Sequence, residues 1–141
     1  MAIRTATVCA ILAFGCGVRD DDDACTPGDQ DGVIGGNVTF DLHVTDQAFS
    51  TLILESQNDA TITLTLTNDG TTPHDFVVDC LPTPNDQGCP TTSCFPADAS
   101  VAPLSPGQSS TITFITPLVE GIYTFRSDVA GDAQTGQFIL Q

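Results

Sequence analysis

His43 and His74 are the only imidazoles in this chain, and they stand on separate stretches of it. His74 follows Pro73 and opens the apolar run Phe76-Val77-Val78, where a turn passes into a strand. His43 falls on the polar side of an alternating segment, so it reads as a solvent-facing strand residue rather than a ligand. No Gly-x-Ser-x-Gly elbow is present, and two isolated histidines do not build a Ser-His-Asp arrangement. The carboxylates read as dispersed over solvent faces, with no pair standing out as acid and base, so the expectation is that the chain is not an enzyme. A phosphate-binding loop is excluded because the chain has no lysine.

The cysteines point to a compartment more than to a reaction. Cys9 and Cys16 lie in or at the end of an N-terminal leader, which leaves Cys25, Cys80, Cys89 and Cys94, an even number in an exported chain. All four are disulfide candidates, with three pairings open. Cys80, Cys89 and Cys94 share a stretch with Pro82, Pro84, Gly88, Pro90 and Pro96, so at least one bridge is expected to staple it. Four residues separate Cys89 from Cys94 and no histidine is near, which favours disulfides over zinc.

The elements that must position these groups are strands. Val38, Phe40, Leu42 and Val44 alternate with Thr39, Asp41, His43 and Thr45, and Ile62, Leu64 and Leu66 alternate with threonines before Asn68-Asp69-Gly70 turns the chain. Further strands are predicted at 51–55, 74–80, 110–115, 122–127 and 137–140, with no helical periodicity anywhere. About seven short strands between Gly, Pro, Asn and Asp turns predict an all-β sandwich.

The chain of 141 residues has room for one domain. With 18 acidic residues against three arginines its formal charge is −15, which excludes nucleic-acid and anionic-membrane binding through basic patches. Residues 1–15 read as an export leader whose apolar run is too short to span a bilayer. Leu12-Ala13-Phe14-Gly15-Cys16 resembles a bacterial lipobox, so Cys16 is the expected lipidation site, although Phe14 is large for that pattern and cleavage near Gly15 or Gly17 without lipid is the alternative. Residues 16–37, with Asp20 to Asp23 and a Pro-, Gly- and Asp-rich continuation, read as a solvated tether. The folded domain is expected over 38–141, with a Cys-rich inserted loop at 80–103.

Two segments resemble a known family. Asn68-Asp69-Gly70-Thr71-Thr72-Pro73-His74-Asp75-Phe76-Val77-Val78-Asp79 is one, and Pro106-Gly107, a strand through Phe114, and Gly121-Ile122-Tyr123-Thr124-Phe125-Arg126-Ser127 the other. Both resemble the cupredoxins, the small blue-copper proteins, and the likeness runs from about Val38 to the C-terminus. It implies a Greek-key β-sandwich and a copper site with two imidazoles, a thiolate and a weak axial donor. His74 stands at the family's first ligand position, but Ser127 stands at the cysteine, Ala130 or Asp132 at the second histidine, and Gln134 at the axial methionine, in a loop shortened by one to three residues. A serine hydroxyl does not ionise at neutral pH and cannot replace a thiolate. Cys80, six residues beyond His74, lies ~20 Å away along a continuous strand and is not placed to rescue the site.

The resulting expectation is an exported, lipid-anchored cupredoxin-like domain with a degenerate copper site, serving as a non-enzymatic binding or structural module of the cell envelope. No cofactor is expected, and the partner is an unidentified envelope protein or small ligand, with a basic one suited to the acidic surface. The alternative implied by the resemblance is a copper-binding electron carrier or metal buffer. If a metal binds, His74 with carboxylates from Asp75 or Asp132, and Gln134 nearby, suits a weak, exchangeable Cu(II) or Zn(II) site. The location is the periplasm or outer membrane for a lipoprotein, and the medium for a simply secreted chain. Intact-mass analysis of membrane-extracted protein is expected to show a mature chain beginning at lipid-bearing Cys16; an unmodified N-terminus at Gly17 or beyond would replace the anchor with soluble secretion.

Overall fold

A computed structural model describes residues 35–82 and 92–141. The leader, most of the tether, Cys16, Cys25 and Cys89 lie outside the described residues. Within them the chain forms ten strands and no helix: β1 (Asn37–Val44), β2 (Ile53–Ser56), β3 (Thr61–Asn68), β4 (His74–Val78), β5 (Leu81–Pro82), β6 (Thr92–Ser93), β7 (Val101–Leu104), β8 (Ser109–Ile115), β9 (Gly121–Arg126) and β10 (Thr135–Leu140). All seven expected strands are present, with ends within two residues of those read from the sequence.

Three strands are additional. β5 and β6 form a two-residue ribbon closed by the Cys80–Cys94 disulfide, which selects one bridge among the candidates. β7 lies in the stretch expected to be a loop. Its sequence Val-Ala-Pro-Leu has no clean alternation, and Pro103 is tolerated because β7 is the edge strand beside β4. The strand read over 74–80 ends at Val78, so Cys80 is not on it.

Two sheets make the sandwich, in the orders β1-β3-β8 and β2-β10-β9-β4-β7. β1 pairs parallel with β3 and β2 parallel with β10, while β8, β9, β4 and β7 pair antiparallel. The period-two pattern sets which face is inside. Leu42, Val44, Ile62, Leu64, Leu66 and Phe114 from one sheet meet Leu54, Phe76, Tyr123, Phe125, Phe138 and Leu140 from the other, all buried. Phe49 and Phe95 enter from connecting segments. Phe49 meets Phe125 edge-on at 5.1 Å between ring centroids, and Phe95 meets Tyr123 edge-on at 5.0 Å.

Register aligns the ends that matter. β1, β3, β7 and β9 end, and β4, β8 and β10 begin, at the same pole of the sandwich, which gathers residues 45–50, 69–73 and 127–134 around His74. Close packing holds this register where Gly136 of β10 faces Phe125 of β9: a Cβ there would lie 2.1 Å from Phe125 Cζ. Gly136→Ala is therefore expected to destabilise the fold by at least ~1–3 kcal/mol through overpacking. A denaturant midpoint equal to that of the wild type would contradict this packing.

Candidate functional site

His74 opens β4 and is wholly buried. Removing an imidazole from water is costly unless its nitrogens are hydrogen-bonded, and both are. Nδ1 lies 2.7 Å from Asp132 Oδ2 and Nε2 lies 3.0 Å from Asp46 Oδ1. Asp132 belongs to the connection between β9 and β10, and Asp46 to the turn after β1. The ring therefore bridges two segments that are far apart in sequence.

Asp46 is the residue that sequence reasoning missed. It accepts hydrogen bonds from the backbone N–H groups of Thr71 and Thr72 at 2.8 and 3.1 Å and from their hydroxyls at 2.6 and 2.9 Å. These donors stabilise the anion, the Thr71 hydroxyl most, with His74 adding to it, and they hold the Asp46 carboxyl well below the usual carboxylate range. For His74, burial pushes the imidazole down, but the hydrogen bonds and charges of Asp132 and Asp46 outweigh it, and its pKa lies above the ordinary value near 6.5.

Ser127, at the family's cysteine position, is buried between two carboxylates. Its hydroxyl lies 3.0 Å from Asp75 Oδ1 and makes a short contact with the same Asp132 oxygen that faces His74. Asp75 Oδ1 also accepts the Asp128 N–H at 2.6 Å, while the Asp75 N–H points at Ser127 Oγ over 3.3 Å. The expectation of dispersed, solvent-facing carboxylates is thus corrected: Asp75 and Asp132 turn inward and share a serine, because strand register sets the start of β4 beside the end of β9. Asp75 contacts Ser127 and not His74. Gln134 turns its amide N–H to the Thr45 carbonyl at 3.1 Å and accepts the Ala133 N–H at 3.1 Å.

Asn68, expected in the turn, ends β3 and is wholly buried. Its amide donates to the Thr72 and Leu104 carbonyls, both at 2.8 Å, and its oxygen accepts the Gly70 N–H at 2.8 Å. His43 is exposed as expected and pairs with Asp69 at 2.7 Å. Arg126 bridges Asp79 of the β4 side, at 3.0 Å, and Asp128. Among the described residues no group of three or more His, Cys, Asp or Glu side chains is arranged to hold a metal ion.

No protein-family model matches the chain, and no curated protein matches its sequence. Solved structures do match its fold. Auracyanin A, a "blue" copper protein from the green thermophilic photosynthetic bacterium Chloroflexus aurantiacus, is similar at TM-score 0.58 and 17% identity, over 75% of this chain and 100% of that one. Dithionite-reduced auracyanin from Roseiflexus castenholzii is similar at TM-score 0.55 and 20% identity, over 74% and 96%. A copper-containing nitrite reductase from Thermus scotoductus is similar at TM-score 0.55 and 15% identity, over 74% of this chain but 28% of that one. The chain has the cupredoxin fold.

The donors at the site do not fit the copper centre that this fold holds in blue-copper proteins. The cupredoxin thiolate position carries a neutral hydroxyl, and the described cysteines Cys80 and Cys94 are bonded to each other. Both nitrogens of His74 face carboxylate oxygens, and both amide atoms of Gln134 are engaged within the protein. Each of these groups is thus committed to partners within the protein. The packing instead makes Asn68 a keystone, and Asn68→Ala is expected to cost about 2–4 kcal/mol by stranding the Thr72 and Leu104 carbonyls. A loss below ~0.5 kcal/mol in chemical unfolding would contradict that role.

Proposed function

We propose that this protein is an exported cupredoxin-like module, anchored to the cell envelope through lipid on Cys16, that works without copper and without catalysis. Its task is binding or structural. The observation that carries this reading is the engagement of every family ligand position by the protein itself: His74 by Asp132 and Asp46, Ser127 by Asp75 and Asp132, and Gln134 by Thr45 and Ala133. Ligation by His74 requires a free lone pair, and the two carboxylates compete for both ring nitrogens.

Non-catalytic action is supported by the same commitments. Ser127 is buried and committed to the carboxylates of Asp75 and Asp132, with no imidazole beside it to form a Ser-His pair. The net charge of −15 suits a basic envelope protein or a cationic small ligand, and it raises the encounter rate with such a partner at low ionic strength.

Addition of Cu(II) to the wild-type protein, followed by visible absorption near ~600 nm and by calorimetry, tests the copper-independent reading; intense absorption there requires a Cys thiolate bound to Cu(II). No blue band and no tight single-site heat are expected. A strong blue band with one equivalent bound would replace this reading with that of a copper carrier.

A further inference from the structure

We propose that His74 is held as an imidazolium and serves as an internal cation, clasping the turn after β1 and the β9–β10 connection against the start of β4. A neutral imidazole has one N–H, and its second nitrogen would then present a lone pair to a carboxylate oxygen. Both nitrogens of His74 lie within 3.0 Å of carboxylate oxygens, so both contacts are attractive only when each nitrogen carries a hydrogen. A protonated Asp46 donating to Nε2 is disfavoured because four donors from Thr71 and Thr72 already select its anion. Asp75 Oδ1 is already served by the Asp128 N–H, so the single hydrogen of Ser127 is free to go to Asp132 Oδ2, which then accepts from both the hydroxyl and the ring.

The surroundings supply the counter-charge. Asp46 faces the ring from the turn after β1 and Asp132 from the β9–β10 connection, while Thr72 is the polar neighbour from the β3–β4 turn. One contact further out are Asp75 and Asp128; Arg126 is drawn off by Asp79 and Asp128, and His43 by Asp69. Negative charge predominates around the ring, and a buried cation with two anionic partners is the arrangement that offsets its desolvation. Steric confinement fixes the same geometry: a Cβ on Gly70 would lie 2.6 Å from Asp46 Oδ1 and 2.8 Å from His74 Nε2.

The clasp has a defined pH dependence. His74 has a folded pKa above its ordinary value, so its contribution is complete below about 6.5 and is lost as pH rises through the folded value. Asp46 has a depressed folded pKa, so its contribution is present above its ordinary value near 3.8 and is lost as pH falls through the folded one. Both are complete between those ordinary values.

This inference rests on the copper-independent reading, and measurement in EDTA keeps the two separable, since failure of the clasp would leave the copper titration unaffected. Long-range 1H–15N spectra of the His74 ring, recorded from pH 5 to 10, are the test, with the urea-unfolded chain as reference. Two protonated nitrogens at pH 7 and a titration midpoint above that of the unfolded chain are expected. Asp46→Asn, at a half-exposed side chain, is expected to fold and to lower the midpoint by about 1 unit. In a parallel stability series, the wild type is expected to lose its advantage over His74→Gln as pH rises through the midpoint. A neutral ring at pH 7, or a midpoint that Asp46→Asn leaves in place, would overturn the proposal.

Discussion

Everything at the functional pole of this domain depends on how a wholly buried imidazole is kept from being an unpaired polar group. His74 lies at the start of β4, beneath three connecting segments, where water does not reach it. Two carboxylates from different segments, Asp132 and Asp46, answer its two nitrogens. Each carboxylate is itself positioned by a second set of donors, Ser127 for one and the Thr71-Thr72 pair for the other. Loss of any member leaves a buried or half-buried charge without its partner, and such losses are costly in a low-dielectric setting.

Fold and chemistry are separable, and one fold can hold different sets of side chains at the same pole. A metal with ligands on two connections ties those connections together as well as supplying reactivity, and its binding energy contributes to folding. In this chain hydrogen bonds and ion pairs span the same connections. The sandwich itself makes no demand on the donor set. Its core of Phe49, Phe76, Phe125 and Phe138 and its strand register depend on apolar burial and on the close approach of Gly136 to Phe125.

The strands were legible because half-buried strands write their two faces into alternating residues, as in Thr61–Asn68, where each apolar side chain is buried and each threonine between is not. β7 was not legible: four residues with a proline carry no periodicity, and pairing with β4 is a long-range event. At the site, resemblance pointed to His74, Ser127, Asp132 and Gln134, and strand register brings those positions to one pole. Asp46 escaped notice because it stands 28 residues from His74 in a polar turn, where an aspartate ordinarily signals only a turn residue. The inward rotation of Asp75 was likewise hidden, since composition records a carboxylate and not the direction it faces.

The protein's own groups hold the connections around His74, so metal is expected to add nothing to the stability of the fold. Thermal unfolding of the same preparation in EDTA and in stepwise increasing Cu(II), at neutral pH, measures this directly, because a ligand that binds only the folded state raises the midpoint with its free concentration. One midpoint throughout is expected. A midpoint that climbs steadily with free Cu(II) would show that these residues form a metal site after all.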